Sequence, residues 1–222
     1  MARTLLAVAF LFPSLLLAQN TSNPRTSEFV YRVRPDSGAR IAALENPQRD
    51  AEQKPAEVIA ALALKNGETI ADIGAGSGYF AFRFARPIGN SGRVYAVDVD
   101  PDMILHMNRR IRDLKLINVV TVLSAPDDPL LADNSIDRFF VCNTWHHLEN
   151  PPKYMGLIKR MLKPGGQLII IDYKMKASPA GLPPEMKVPK RDVINQLEAN
   201  GFKLTREHDF LPSQYFLVFS PR

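Results

Sequence analysis

The sequence predicts an α/β fold in which helices cover both faces of a mostly parallel sheet. From Pro55 onward, short apolar runs alternate with longer segments whose apolar residues recur at helical spacing. This alternation indicates parallel strands joined by crossover helices, which gives a three-layer, doubly wound arrangement. A second observation supports it: glycine and acidic residues follow the first two apolar runs, at the sheet edge where ligands of such folds bind.

The predicted elements follow one another in a regular order. The first helix spans 55–64, because proline opens it and Gly67 follows its end. Strands are predicted near 69–73, 93–97, 118–123, 138–142 and 167–172. Helices are predicted near 77–86, 101–114, 151–162 and 189–200. Two final strands, near 203–206 and 215–220, are expected to form a hairpin through residues 208–213.

The N-terminal 54 residues are predicted to be separate from the main domain, 55–222. Residues 1–18 combine a basic start at Arg3, an apolar stretch and a small residue, Ala18, as in a secretory signal peptide. We therefore expect a periplasmic or secreted protein; the alternatives are a short membrane anchor or a cytoplasmic protein that retains this segment. Residues 19–54 are interpreted as an extension with a disordered start, a short helix at 37–44 and a loop or cap at 45–50.

Composition excludes several classes of function. The formal charge of +5 is spread along the 222 residues and forms no basic stripe, so nucleic acid is not an expected partner. The single cysteine, Cys142, excludes an intrachain disulfide and a multi-cysteine zinc site, and no metal site is predicted. Asn150-Pro151-Pro152 is interpreted as the start of a helix rather than as a catalytic motif.

The glycine-rich turn after the first strand favours one ligand class over another. Gly74, Gly76 and Gly78 alternate, whereas dinucleotide sites use G-x-G-x-x-G beside a pyrophosphate. Asp72 would repel a pyrophosphate but suits a cationic amino-acid ligand. Asp98, at the end of the second strand, can accept hydrogen bonds from both hydroxyls of a ribose.

Through these residues the chain resembles the class I S-adenosylmethionine-dependent methyltransferases. The resemblance covers roughly residues 55–175 and includes three further motifs at strand ends: Asp133-Asn134-Ser135-Ile136-Asp137, Trp145-His146-His147-Leu148 and Lys163-Pro164-Gly165-Gly166. It implies the Rossmann-like methyltransferase fold, a seven-stranded sheet whose final strand is antiparallel. It also implies S-adenosyl-L-methionine as cofactor and a small-molecule methyl acceptor, as in enzymes that methylate ubiquinone and menaquinone precursors.

The resemblance also implies roles for individual residues. The three glycines would surround the methionine part of the cofactor, Asp72 would accept from its ammonium group, and Asp98 would bind the ribose. The further cofactor-binding residues implied are Val99, Asn143 and Asp127. Asp127, or else Asp128, would replace the acid that many relatives use for adenine, because the aligned positions here are Ala125 and Pro126.

Three residues are predicted to be catalytic. In-line methyl transfer needs an aligned nucleophile, and it needs a base only where the nucleophile keeps its proton. His146 or His147 could supply that base, although both could instead pack the following helix. Asp172 is predicted to line the acceptor pocket. Candidates for a lid over this pocket are Tyr31, Arg40, Arg49 and Lys54.

Two other functions are compatible with the same motifs. The stretch from Gly76 to Tyr95 is also similar to protein isoaspartyl methyltransferases, which favours a protein acceptor. The predicted signal peptide and the altered adenine position favour an exported, non-catalytic domain that binds a ligand or a partner. Neither the acceptor atom nor the oligomeric state can be predicted. Residues 1–18 are the segment through which the chain would associate with a membrane.

Overall fold

The described part of the chain forms a seven-stranded sheet covered by helices. The computed structural model describes residues 36–175 and 183–222. The predicted signal peptide and Tyr31 therefore lie outside the described residues. No helix within the described ranges is long and apolar enough to cross a membrane.

The strands and helices have well-defined bounds. The strands are β1 (Thr69–Ile73), β2 (Arg93–Asp98), β3 (Val119–Leu123), β4 (Ile136–Cys142), β5 (Leu162–Tyr173), β6 (Phe202–His208) and β7 (Gln214–Pro221). The helices are α1 (Ser37–Leu44), α2 (Arg49–Gln53), α3 (Pro55–Leu62), α4 (Ala81–Ile88), α5 (Pro101–Asp113), α6 (Pro151–Met161) and α7 (Lys190–Ala199). Short 3-10 turns cover Trp145–His147 and Pro184–Met186.

The strand order confirms the predicted fold class. The order across the sheet is β3-β2-β1-β4-β5-β7-β6. β1 pairs in parallel with β2 and β4, and β5 pairs in parallel with β4. β7 runs antiparallel to both β5 and β6, so it alone opposes the direction of its neighbours. The order reverses between β1 and β4, and in doubly wound sheets this reversal opens a ligand crevice at the carboxyl edge.

Alternating side chains of the strands bury two separate apolar layers. On one face, Ile70, Val94 and Phe140 pack with α3, α4 and α5 around Phe84. On the other face, α6 and α7 cover the sheet, and the largest buried side chain there is Trp145. Both faces of the central strands are therefore buried, as expected for parallel strands.

Three local boundaries differ most from the sequence predictions. The helix predicted from residue 77 begins only at Ala81, because the preceding glycines adopt positive φ angles that no helix accommodates. β5 begins at Leu162, which pairs with Ile136, so the Lys-Pro-Gly-Gly segment forms an irregularity inside the strand instead of a loop before it. Residues 49–53, partly interpreted as loop, form α2.

The N-terminal extension continues onto the carboxyl edge of the sheet. We call residues 37–53, which comprise α1, its connection and α2, the N-terminal strap. α1 lies along α5: Arg40 Nη1 donates to Asp100 Oδ2 at 2.7 Å, and Glu45 Oε1 accepts from Arg110 Nη1 at 2.7 Å. α2 reaches the β6–β7 connection, where Ser213 Oγ donates to Glu52 Oε2 at 2.6 Å. The strap thus spans the edge where the ligand motifs converge.

Candidate functional site

The glycine-rich turn between β1 and α4 is shaped by close packing as well as by its backbone angles. Gly74, Gly76 and Gly78 have φ angles of 70°, 57° and 84°. A Cβ atom on Gly74 would lie 2.3 Å from Thr144 Oγ1, and one on Gly76 would lie 3.1 Å from Leu44 Cδ1 of the strap. Glycine is therefore required at position 74 for both conformation and space and at position 76 mainly for conformation, and the turn can approach a ligand closely.

Asp98 holds this turn to the end of β2. Its Oδ2 accepts from the Gly76 N–H at 2.8 Å, and its Oδ1 accepts from the Asp100 N–H at 2.9 Å. Burial raises the pKa of Asp98, while these two N–H groups oppose the rise. Each carboxylate oxygen keeps a second acceptor position, which is what ribose hydroxyls would need. Asp100 caps α5, with Oδ1 accepting from the Asp102 N–H at 2.9 Å.

Asp72 is the most electrostatically unusual residue of the site. It is 3 % exposed, and burial together with the nearby charge of Asp98 raises its pKa to about 7. The Ala81 N–H donates to this carboxyl group and the charge of Arg49 also acts on it, and both lower the pKa. Asp72 Oδ2 is buried and has no hydrogen-bond partner among the described residues. A cationic donor placed at Oδ2 would satisfy the atom and stabilise its charge.

The side of the site predicted to bind adenine is less enclosed. Asp127 is 52 % exposed and forms an ion pair with Lys153. Val99 is 38 % exposed, beyond the end of β2. Ala125 and Asp128 pair with each other in a short turn, whose backbone groups therefore bond internally. Both Asp127 and Val99 are therefore exposed to solvent.

A buried histidine–aspartate pair lies between the ends of β4 and β5. His146 Nδ1 lies 2.9 Å from Asp172 Oδ1, and the two side chains are 2 % and 1 % exposed. The N–H of Tyr173 donates to Asp172 Oδ1 at 2.8 Å. Because a carboxylate only accepts, Nδ1 carries the proton and Nε2 of the neutral ring is an acceptor. His147, by contrast, is exposed at this turn, with its ring centroid 4.1 Å from that of His146.

A polar network next to this pair was only partly predicted from the sequence, which indicated Asn143 but not Gln214. Asn143, with a φ of 54°, donates from Nδ2 to Tyr173 Oη at 3.1 Å and accepts at Oδ1 from Gln214 Nε2 at 2.6 Å. Gln214 is 1 % exposed, and its Oε1 has no hydrogen-bond partner among the described residues. Gln214 opens β7 and pairs with Tyr173. Its only sequence signal is a polar residue at the start of an apolar strand.

Two of the predicted lid residues contact residues that follow β2 and the glycine-rich turn. Arg40 is bound to Asp100, and the guanidinium of Arg49 lies 4.0 Å from the ring centroid of Tyr79, the residue after the glycine turn. Lys54 instead occupies a left-handed position between α2 and α3. Asn150, the residue of the rejected motif, caps α6, and its Oδ1 accepts from the Lys153 N–H at 3.1 Å. That observation confirms the interpretation of this segment as a helix start.

Known proteins share both the sequence pattern and the architecture. A family model described as a methyltransferase domain matches residues 64–206. A ubiquinone/menaquinone biosynthesis C-methyltransferase of Klebsiella pneumoniae is 26 % identical over 111 residues, 50 % of this chain and 44 % of that protein. The chain therefore matches less than half the length of this curated relative.

Solved structures extend the likeness over most of the chain. A SAM dependent methyltransferase from Aquifex aeolicus is 30 % identical, covers 85 % of this chain and 98 % of its own, and superimposes with a TM-score of 0.79. A putative type 11 methyltransferase from Sulfolobus solfataricus, at 21 % identity and a TM-score of 0.63, covers 76 % and 92 % of the two chains and shares the fold. The ordered motifs, the strand order and these matches show that the chain belongs to the class I S-adenosylmethionine-dependent methyltransferase family.

Proposed function

We propose that this protein transfers a methyl group from S-adenosylmethionine to a small-molecule acceptor by in-line displacement. The observation that carries the proposal is the buried Asp72 Oδ2, which has no partner among the described residues and lies beside a turn that only glycine can form. The ammonium group of the cofactor's methionine part fits this acceptor. Asp98, with acceptor capacity on both carboxylate oxygens, fits the ribose hydroxyls. When bound, the cofactor supplies the sulfonium-activated methyl group.

The chain's own residues would then position the acceptor and receive its proton. Asp172 orients the His146 ring and fixes its tautomer, so Nε2 is the atom that would take a proton from a hydroxyl or an acidic carbon. Tyr173, whose ring centroid lies 6.1 Å from that of His146, is hydrogen-bonded to Asn143, which in turn is bonded to Gln214. The similarity to ubiquinone and menaquinone C-methyltransferases supports an aromatic or quinone-like acceptor.

Calorimetric titration of the full 222-residue chain with S-adenosylmethionine and S-adenosylhomocysteine tests the cofactor part. We expect micromolar binding, about −8 kcal/mol. Asp98→Asn should weaken it at least tenfold, because an amide cannot accept at both positions that the carboxylate offers. Asp133→Asn makes the same chemical change at an exposed residue that pairs with Arg160, so it is the matched control and should not alter binding.

Radiolabelled cofactor and a panel of hydroquinones and phenols then test the acceptor part. Incorporation of label into one of these compounds supports the proposal. Absence of cofactor binding by correctly folded protein would refute it, and the fold would then serve another function. Cofactor binding combined with methylation of proteins alone would refute the small-molecule assignment.

A further inference from the structure

Arg49 stands out among the cations near the glycine turn. It is the first residue of α2, and its guanidinium stacks on the Tyr79 ring at 4.0 Å from the ring centroid. It donates to two neutral oxygens of the strap, the Leu44 carbonyl and Gln53 Oε1, the latter at 2.9 Å. A guanidinium has five N–H donors, so these bonds leave donor capacity for another acceptor.

A second arginine on the same ring provides a direct comparison. The Arg83 guanidinium also lies 4.0 Å from the Tyr79 centroid, but it pairs with the Asp50 carboxylate at 3.5 Å. No carboxylate oxygen of residues 36–175 or 183–222 lies within 4.0 Å of the Arg49 guanidinium. Arg49 is half-buried, and this burial lowers its pKa. A partly desolvated cation without a counter-ion is costly, and an anion beside it would relieve that cost.

A ligand whose anionic group binds Arg49 must also be compatible with the nearby carboxyl group of Asp72. The charge of Arg49 lowers the pKa of Asp72, yet the two groups form no ion pair with each other. The site therefore offers a cation with spare donors and a buried carboxylate with an orphaned oxygen, held apart by the framework. A phosphate would be attracted by one group and repelled by the other. A zwitterionic α-amino acid satisfies both, with its carboxylate on the guanidinium and its ammonium on Asp72.

We propose that Arg49 binds the carboxylate of the cofactor's methionine part, which makes the N-terminal strap a component of the cofactor site. This inference rests on the proposed function. It assigns complementary charges to the two ends of one α-amino acid. It also explains why Leu44 of the strap lies against Gly76 and why Asp50 binds the Tyr79 hydroxyl. These contacts hold α2 in place over the glycine turn, so Arg49 is presented without a large loss of side-chain entropy.

Two ligands that differ by one group can test this assignment on the full chain. S-adenosylhomocysteine carries the carboxylate, and its decarboxylated analogue, an aminopropylthio-adenosine, keeps the amine, ribose and adenine. For Arg49→Met we expect S-adenosylhomocysteine to bind about 10- to 100-fold more weakly, because a charge-assisted hydrogen-bonding pair is lost. The decarboxylated analogue should keep its affinity within about threefold. Arg49→Lys should restore part of the loss, since it keeps the charge but not the bidentate geometry.

Arg83→Met is the matched control, because it removes the other guanidinium that lies over the Tyr79 ring. It should leave the affinities for both ligands within about threefold. Equal weakening of both ligands by Arg49→Met would overturn the assignment, since it would show a role in shaping the site alone. Unchanged S-adenosylhomocysteine affinity in Arg49→Met would overturn it as well. Failure of the wild-type chain to bind either ligand would instead overturn the proposed function, so the two failures are distinguishable.

Discussion

Replacing Asp72 by asparagine should stabilise the ligand-free protein in a pH-dependent way. The folded environment raises the pKa of this carboxyl group to about 7, mainly through burial. The folded state therefore holds the proton more tightly than the unfolded chain does, and wild-type stability falls as the pH rises from about 4 to about 7. A rise of that size corresponds to about 4 kcal/mol in total, an upper limit that relaxation of the site would reduce.

Asparagine does not titrate, so it escapes this loss. Its amide nitrogen would replace the orphaned Oδ2 and carries its own desolvation cost of about 1–3 kcal/mol, but that cost is independent of pH. The informative quantity is therefore the change in the variant's relative stability between two pH values. At pH 5 the wild type has lost only about 2 kcal/mol, so the stability of Asp72→Asn relative to wild type should improve by about 2–3 kcal/mol between pH 5 and pH 8.

Urea denaturation of both proteins at the two pH values measures this difference through the free energy of unfolding. The same variant should lose cofactor affinity, because an amide cannot provide the charge that an ammonium group requires. A relative stability that does not change between pH 5 and pH 8 would refute the claim that the folded site holds this carboxyl group in its protonated form. Asp137→Asn is a suitable control, since Asp137 accepts from Lys163 and from the Thr69 N–H at the opposite edge of the sheet.

Three other perturbations have clear expected outcomes. Gly74→Ala should lower the free energy of unfolding by about 1–3 kcal/mol and weaken the binding of S-adenosylhomocysteine, because the new Cβ would meet Thr144 at a φ of 70°. Gly38→Ala is the control: Gly38 has open space around it, so thermal denaturation should show a neutral or slightly stabilising effect. His146→Gln should lower kcat by about 10²–10⁴-fold, because the group that receives the acceptor's proton is lost, while calorimetry shows unchanged cofactor affinity; an unchanged kcat would exclude His146 as the base. Glu45→Gln should cost less than about 1 kcal/mol, because its contacts with His106 and Arg110 are partly exposed, and added salt should shrink the difference.

The sheet and its motifs were predictable because local sequence signals determine them. Strand β1 was predicted with its observed bounds, since a buried apolar run there ends in an acid and a glycine turn. The predicted start of α4 was wrong by four residues, and the cause is the same glycine pattern that made the motif recognisable. Glycines at positive φ allow a tight approach to a ligand, and the same angles delay the first helical turn. A motif built for a ligand therefore violates the local helix pattern at its own boundary.

The residues that complete the site could not be predicted in the same way. Gln214 reaches Asn143, more than seventy positions away in the chain, because β7 inserts antiparallel beside β5. The short helix α2 has a weak pattern of its own, and its place depends on contacts with Tyr79 and with Ser213. Such long-range pairing leaves no periodic signal in the sequence.

The distribution of unsatisfied polar atoms links these observations to function. Of the buried side-chain atoms without a partner in the described ranges, Asp72 Oδ2, Ser77 Oγ and Gln214 Oε1 lie at the carboxyl edge of the sheet. Each would cost about 1–3 kcal/mol if it stayed unpaired, a cost that natural cores rarely tolerate. Folding has already removed water from these atoms, so a ligand that supplies donors there does not bear that desolvation cost again. The stability that the free protein loses therefore contributes to the affinity for the ligand. Ligand binding should therefore raise the midpoint of thermal unfolding less in Asp72→Asn than in the wild type, because this variant both gains stability without the ligand and loses a contact with it.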